Sequence, residues 1–362
     1  MTLNLYPKFG YINARTKGMK AKLLSEDKLN QLLAVKSLDE VIAILEETQY
    51  KEKMVEFSTR YSGIELVNRA VNADFVSAIR KIAKFLPQNE KTGELYALAL
   101  QEWLMEDYKI LIASKATGAT VDPSQFTFLA QEQPTLFDAV KSSDVDLEKT
   151  VKKLAAYGGI QNQVFRQIAS TYFRGKKLED YRQLFKELDD YYYNKLGKLA
   201  STQSDTAISQ LLKAKIDFLN LMMALRLKLS GADNKEIEKN AVGGKKGERT
   251  VRKLLNSEKI EEMVEEVVKI YKLGPQIAGE FNKSHSLVQL EIALERRLME
   301  RAMRTAAVSA LSFAVVLGYI YLKRQETIVL KSIAYSTIEG VRDEMKKILI
   351  PARYSKKQQF SY

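Results

Sequence analysis

The chain has 362 residues, 46% of them hydrophobic, and carries a formal net charge of +12 with one histidine and no cysteine. This length allows two or three ordinary domains, and the hydrophobic content is typical of a globular core. The lack of cysteine excludes a disulfide framework and a thiolate metal site, and residues 1–20 lack the apolar stretch of a signal peptide.

The positive charge is concentrated at the two ends of the chain. Residues 1–24 contain five basic and no acidic side chains, and residues 323–362 contain nine basic and four acidic ones. These ends are either solvated termini or a surface that faces acidic lipid or an acidic partner. Nucleic acid is disfavoured as a partner because no helix-turn-helix, zinc-finger or RNP pattern accompanies the charge.

The secondary-structure signals along the chain favour helices. Apolar residues recur at helical spacing, for example in residues 207–229 and 287–298, and the whole chain has only six prolines. Alternating strand patterns with Asn-Gly or Asp-Gly turns are absent from the sequence. We therefore predict an all-α protein.

Local signals indicate where helices begin and end. Ser25 precedes an apolar run, and Ser37 with Glu40 three residues later forms a capping-box pattern. Gly118 and Gly231 are predicted to follow the ends of two long helices. These glycines indicate unit boundaries near residues 119 and 232.

Two sequence markers each occur three times. The first is an apolar-acidic phrase that opens at Leu38, Leu147 and Ile260. The second is an acidic residue interpreted as opening a long apolar helix, at Asp107, Asp217 and Glu326. Both markers recur at intervals of about 110 residues, a period too large for a solenoid, whose repeats span ~20–50 residues.

The shared period predicts three similar helical units, residues 1–118, 119–231 and 232–362. Three copies can close into a ring with one axis, an arrangement that suits a socket or collar better than an enzyme cleft.

The stretch Thr305–Leu322 contains 18 residues without a charge. A membrane-spanning helix needs about 20 apolar residues, so this stretch is at the short limit, and it includes polar side chains. We predict that it forms one helix that lies within the third unit, buried on all of its sides, and that it does not span a membrane.

Catalytic chemistry is not indicated by the sequence. His285 is the only histidine, and its polar neighbours predict a surface position. The run Gly243–Gly247 is followed by Glu248 and so lacks the Lys-Ser/Thr pair of a P-loop. Trp103 and Tyr191–Tyr193 lie on helical patterns and are interpreted as packing residues. We predict no catalytic, cofactor-binding or metal-binding residues, and a binding or structural role.

Four stretches of the sequence resemble the C subunits of archaeal and bacterial A/V-type ATPases, the family whose eukaryotic counterpart is the d subunit of the V-ATPase. They are Tyr11–Leu24, Leu45–Tyr50, Gly243-Gly244 and Tyr319–Leu330. The resemblance spans nearly the whole chain and implies a helical funnel with pseudo-three-fold symmetry and no catalysis of its own.

The resemblance also implies partners and a location. Such a protein sits at the cytoplasmic face of the cell membrane as a peripheral protein, on the proteolipid (c/K) ring, and its cavity holds the foot of the central stalk made by the D and F subunits. It is a monomer within the complex and couples stalk rotation, driven by ATP hydrolysis or linked to ATP synthesis, to ion movement through the ring. The alternative is a soluble helical adaptor, or a nucleic-acid-binding protein that uses the basic termini.

Four residues are candidates for contacts with partners. They are Asp107, Asp217, Glu326 and Arg15. The three acidic residues are expected at equivalent places. They either form a three-fold ring of carboxylates that contacts the central stalk or the proteolipid ring, or they are helix N-terminal charges that interact favourably with the helix dipole by ~0.3–1 kcal/mol each.

Overall fold

All regular elements of the described structure are helices. The computed structural model describes residues 6–86, 90–157, 162–173, 178, 180–308 and 312–339. Within these ranges the predicted all-α class is confirmed. No helix in this part of the chain is both long and apolar enough to cross a membrane.

The order of short and long helices recurs three times along the chain, after an N-terminal helix α1 (Tyr6–Lys20). Each series ends in a pair of long helices, and the first member of each pair has 21 residues. The first series contains α2 (Glu26–Ala34), α3 (Leu38–Glu46), α4 (Lys51–Ser58), α5 (Gly63–Ala83) and α6 (Glu90–Thr117). The second contains a 3₁₀ turn (Pro123–Gln125), α7 (Leu129–Glu132), α8 (Pro134–Lys141), α9 (Leu147–Ala156), α10 (Gln163–Tyr172), α11 (Arg182–Thr202) and α12 (Thr206–Leu229). The third contains α13 (Asn234–Lys239), α14 (Lys245–Leu254), α15 (Ile260–Ile270), α16 (Gln276–Ser284), α17 (Val288–Val308) and α18 (Ala314–Glu339).

The first repeated sequence phrase marks the start of a helix in each series, because α3, α9 and α15 begin at its first residue. At α3 the predicted capping box is confirmed. The Glu40 amide donates to Ser37 Oγ and the Ser37 amide donates to Glu40 Oε2, both at 3.3 Å. At α9 the cap is Asp146, whose carboxylate accepts a hydrogen bond from the Lys149 amide at 2.8 Å. Different caps thus serve the same position.

Glycines end the second long helix of the first two series. Gly118 and Gly231 follow α6 and α12 with φ angles of 71° and 85°, in the left-handed region that favours glycine. The amide of the next residue reaches back to a helix carbonyl, at 2.9 Å from Ala119 and 3.0 Å from Ala232. This bond pattern closes a helix C-terminus, so the predicted helix ends are confirmed at both glycines.

Three clusters of buried apolar side chains hold the helices together. One joins α2, α3 and α4 to the C-terminal half of α18, and a second joins α13–α16 to the C-terminal half of α12. The largest includes α8, α9 and α10 packed with α6. In each cluster the short helices of one series meet the second long helix of the preceding series, and for the first series this helix comes from the third.

The prediction of one buried helix over Thr305–Leu322 is wrong in part. α17 ends at Val308 and α18 begins at Ala314, so two helices share this stretch, and residues 309–311 lie outside the described structure. Ala307 is exposed, whereas residues 313–320 are all buried. Residues 313–320 lack charge because the first turns of α18 pack into the largest apolar cluster.

Candidate functional site

The three acidic candidates lie well inside the second long helix of each series. Asp107 belongs to α6 (Glu90–Thr117), Asp217 to α12 (Thr206–Leu229) and Glu326 to α18 (Ala314–Glu339). The interpretation that they open these helices is therefore wrong, because each helix begins about three or more turns earlier. The helix-dipole explanation fails with it, since that effect is confined to the first turn.

Glu326 is fully buried, and its carboxylate bonds to the first series. Its Oε2 accepts a hydrogen bond from the Leu24 amide at 2.8 Å. Its Oε1 accepts from Tyr50 OH at 2.7 Å, from Lys323 Nζ at 2.9 Å and from Gln49 Nε2 at 3.0 Å. Four donors compensate the cost of burying this charge, and they tie α18 to the segments that flank α2 and α3.

Asp107 makes the corresponding link from α6 to the second series. Its carboxylate accepts hydrogen bonds from three successive backbone amides, Thr127 at 2.9 Å, Phe128 at 2.6 Å and Leu129 at 2.7 Å. These amides lead into α7, so the carboxylate satisfies donors at the start of a helix. Burial raises the pKa of Asp107 to about 6, against the lowering effect of the three amides and of Lys331.

Lys331 of α18 is the cation that faces Asp107. Burial lowers the pKa of Lys331 to about 8, and the nearby Asp107 carboxylate opposes this shift. The two residues belong to different long helices, so their attraction joins α6 to α18.

Asp217 links α12 to the third series. Its Oδ2 accepts a hydrogen bond from Lys246 Nζ and its Oδ1 from Thr250 Oγ1, both at 2.7 Å. Both partners lie on α14, and Asp217 is half-buried. The three carboxylates therefore bond to three different groups of short helices, each time in the series that follows. Their predicted contact with partner proteins stays a prediction.

Arg15 is exposed on α1. Its guanidinium lies 4.8 Å from the ring centroid of Phe85, and it lines a cleft of about 460 Å³ with residues of α5 and α18. The helix is fastened nearby, where Asn13 Nδ2 donates to the Ser312 carbonyl at 3.1 Å. Arg15 is accessible, and its role in partner binding also stays a prediction.

A buried ionic cluster joins all three second long helices and was missed by the sequence analysis. Glu102 of α6 forms ion pairs with Lys215 of α12 and, at 3.2 Å, with Arg324 of α18. Tyr192 lies beside it, its hydroxyl 3.4 Å from Lys215 Nζ. The sequence carried little signal for it, because each of the three lies close to other polar or charged residues of its helix, as Arg324 does between Lys323 and Gln325.

The cluster is held in its charged form. Burial by itself raises the pKa of Glu102, but Lys215 and Arg324 outweigh it and keep this pKa below its usual value. Burial likewise acts to lower the pKa of Lys215, and Glu102 outweighs it, so the pKa is raised. Glu102 is the shared acid of the two pairs, so its removal would leave both Lys215 and Arg324 without this partner.

His285 and the glycine run Gly243–Gly247, which the sequence analysis also singled out, are explained by helix ends and close packing. His285 is exposed at the C-terminal end of α16, as predicted, with its backbone in the left-handed region at φ 50°. Gly243 has φ 80°, and a Cβ atom there would lie 2.5 Å from an Ile216 side-chain carbon. The glycine thus permits close packing on α12. In the described ranges, no group of three or more acidic or histidine side chains could hold a metal ion.

These observations define an all-helical protein in which buried charges fasten long helices to one another and to the following series. The family model described as ATP synthase (C/AC39) subunit matches residues 12–348, which is nearly the whole chain. The chain therefore belongs to this family of ATP synthase subunits.

Individual relatives are similar over almost their full length. An A-type ATP synthase C subunit of Thermococcus kodakarensis is 27% identical over 357 residues, covering 94% of this chain and 90% of the relative. One from Pyrococcus abyssi is 26% identical, with 95% and 90% covered, and one from Methanocaldococcus jannaschii is 24% identical, with 97% and 88% covered.

Proposed function

We propose that this chain is a non-catalytic central-rotor subunit of an A/V-type ATPase, a socket that couples the central stalk of the D and F subunits to the proteolipid ring. The observation that carries the proposal is the cyclic order of the links made by the three carboxylates. Asp107 ties the first series to the second, Asp217 ties the second to the third, and Glu326 ties the third back to the first. A cycle of three links is what a closed collar needs.

The contacts of the long helices support three units, residues 1–118, 119–231 and 232–362, around one axis. Helix α5 packs on α18, α18 on α17, α17 on α12, α12 on α11 and α11 on α6. The circuit closes between α6 and α5, where the Trp103 and Phe75 ring centroids are 4.8 Å apart. We infer a pseudo-three-fold funnel from this closed order of six helices.

The ionic cluster indicates that the funnel is closed at one level. Glu102, Lys215 and Arg324 come from the three second long helices and meet in one buried group. Helices that converge on such a group leave no open channel between them at that height. A socket closed at this level could receive the stalk from one side and rest on the ring with the other.

One exposed face of α18 is suited to the stalk. Ile328, Tyr335 and Ile338 recur at helical spacing and are 40%, 37% and 57% exposed. Leu229, the last residue of α12 and so also at the end of a second long helix, is 43% exposed. We propose that these apolar side chains contact the stalk, because exposed large apolar residues on one face commonly mark an interaction site.

The basic ends suit the other partner. Residues 1–24 carry five basic and no acidic side chains, and the sequence after residue 340 carries six basic and two acidic ones, so both ends would favour a position near the acidic cytoplasmic surface of the membrane. The chain would then be a peripheral protein, one copy per complex, held on the ring.

Reconstitution tests the coupling role. The complex is assembled in lipid vesicles with and without this chain, and ATP hydrolysis and membrane potential are measured with a potential-sensitive dye. We expect hydrolysis without a potential when the chain is missing, and recovery of the potential when it is added. Equal potentials with and without the chain would refute the proposal.

A matched pair of variants tests the stalk contact. Ile338→Glu should weaken binding of the purified D and F subunits by about tenfold, because a charge would enter an apolar interface. Val55→Glu is the control, since Val55 is 54% exposed but belongs to α4 and not to α18. If both variants bind the stalk like the unmodified chain, the face of α18 is not the contact.

A further inference from the structure

A second cleft lies between the second and third series and has a strongly basic wall. It has a volume of about 480 Å³ and is bounded by α12, α17 and the turn after α15. Its lining includes four basic residues, Lys272, Arg297, Arg301 and Arg304, against one acidic residue, Glu300. The cleft is therefore a net positive site within a small volume.

Two of the arginines are held in place by neighbouring groups. Arg297 donates to the Lys272 carbonyl at 2.7 Å and to Glu300 Oε2 at 3.0 Å. Arg301 donates to Gln210 Oε1 at 3.2 Å. Positioned guanidinium groups lose little conformational freedom when a carboxylate binds, and their planar fork matches its geometry.

The rest of the cleft is apolar. Phe218, Leu294 and Leu298 line it, and Ile270 at its edge is 59% exposed. A ligand that fits this surface needs both apolar and acidic groups. An amphipathic helix with a mixed apolar and acidic face meets this requirement.

The corresponding junction of the chain already holds a helix. Where α18 meets α5, the N-terminal helix α1 packs against both of them. The cleft beside α1 is lined by Lys323 and Gln49, which correspond through the sequence period to Ala214 and Ile270 of the basic cleft. At the junction of α12 and α17, no described helix takes the place of α1.

The charge of the cleft disfavours the terminal segments of this chain as its occupant. Helix α1 has Lys17 and Lys20 in its last turn and no acid in its first. The sequence after residue 340 has six basic and two acidic residues. Either segment would bring like charge to the arginines, at a cost in binding free energy.

We propose that the cleft between α12 and α17 binds an acidic amphipathic helix of a partner protein. The carboxylates of the helix pair with Arg301 and Arg304, and its apolar side chains pack on Phe218, Leu294 and Ile270. The site is independent of the coupling role proposed above, because it uses neither the face of α18 nor the buried carboxylates.

The test uses a synthetic peptide as the probe. A fluorescently labelled helical peptide of about five turns carries leucine on one face and glutamate beside it, and a second peptide has lysine in place of every glutamate. Binding is measured by fluorescence anisotropy. We expect the glutamate peptide to bind and the lysine peptide not to bind. Equal binding of both, or of neither, would overturn the proposal.

Matched charge reversals locate the binding. Arg301→Glu with Arg304→Glu should weaken binding of the glutamate peptide by about tenfold or more, because attraction is replaced by repulsion. Arg249→Glu with Arg252→Glu changes the net charge equally at exposed positions of α14 and should change binding less than threefold.

Circular dichroism establishes that each variant is folded. Ile270→Glu supplies a second variant that touches no arginine and should also weaken binding, because Ile270 is an exposed edge residue. Equal loss in the cleft and α14 variants would show non-specific attraction and refute the site. A variant that loses peptide binding but keeps ion coupling, or one that keeps peptide binding but loses ion coupling, would show that the failure of one proposal is distinct from the failure of the other.

Discussion

Single buried carboxylates connect distant parts of this chain, and Glu326 is the most heavily bonded of them. It lies in α18 yet bonds to Leu24 and Tyr50, which are 302 and 276 residues away in sequence. Its partner Lys323 is also buried and lies 2.5 Å from Asp74. Contacts between these distant segments therefore depend on a few buried charges, each compensated by hydrogen bonds or ion pairs.

Glu326→Gln is expected to lower the free energy of unfolding by about 3 kcal/mol, because it leaves Lys323 with less compensation and removes a charged acceptor. Asp217→Asn is the control. Asp217 is half-buried, its partner Lys246 is more exposed, and the expected loss is about 1 kcal/mol or less. Urea denaturation followed by circular dichroism measures both. Equal losses would contradict the importance assigned to burial.

The stability contributed by Asp107 should fall as pH rises. Its pKa in the folded protein is raised to about 6 from 3.8, so the folded state binds the proton more tightly than the unfolded state does. The contribution is fully present below about pH 4 and is lost as pH rises through 6, amounting to at most about 3 kcal/mol. Lys331, the cation that faces it, has a pKa of about 8 and changes charge above this window.

Asp107→Asn removes this titration. We expect the unmodified chain to lose stability relative to Asp107→Asn between pH 4 and pH 6, as measured by urea midpoints at each pH. Leu111→Ala, at a fully buried apolar position of α6, is the control because it removes no titratable group. A constant difference between the unmodified chain and Asp107→Asn would contradict the raised pKa.

Residues at helix ends gave several of the sequence predictions that the structure confirms. The capping box at Ser37 and the left-handed glycines after α6 and α12 were predicted, and the structure confirms both. These signals are local, since the cap and the amides that it satisfies lie within four residues. The stretch Thr305–Leu322 has no such signal, and its division between α17 and α18 was missed.

Two of the three serine N-caps of the first series, Ser37 and Ser62, differ in a testable way. Ser37 Oγ accepts a hydrogen bond from the Glu40 amide, whereas the side chain of Ser62, which precedes α5, makes no capping bond. Ser37→Ala should lower the free energy of unfolding by about 1 kcal/mol, and Ser62→Ala by only a few tenths. Thermal unfolding followed by circular dichroism compares them. A larger loss from Ser62→Ala would contradict the observed caps.

The whole molecule depends on contacts between helices that are far apart in sequence. Glu102, Lys215 and Arg324 meet although more than one hundred residues separate each from the next. Trp103, the only tryptophan of the chain, follows Glu102 in α6 and packs against Phe75 and Phe128. Trp103 fluorescence therefore reports unfolding of the core around this part of α6.

A double-mutant cycle tests the cluster. Glu102→Leu should lower the free energy of unfolding by about 3–5 kcal/mol, because Lys215 would remain buried without its partner. Adding Lys215→Met should recover part of this loss, because the second unpaired charge is removed and Arg324 is 29% exposed at its side chain. Urea unfolding followed by Trp103 fluorescence gives the four values. Additive losses would show that the two residues are not coupled.

Helical periodicity, scarce proline and caps were enough to predict the helical class, and the shared period led to the three similar units, which stay a prediction. Each of these signals lies within one helix or is a comparison of the sequence with itself. The acidic residues 107, 217 and 326 were found by the same period, but their interpretation as helix openers was wrong. Their hydrogen-bond partners lie in the next series, and no local pattern predicts such a pairing.

The sequence by itself determined where most helices form, because helix formation depends on spacing, caps and breakers within a few residues. The tertiary structure alone decided what the buried charges do. A charged residue inside an apolar helix can be compensated only by groups that the fold brings to it, as Leu24 and Tyr50 are brought to Glu326. The cyclic connection of the three series and the basic cleft between α12 and α17 arise in the same way, from helix packing over long sequence distances.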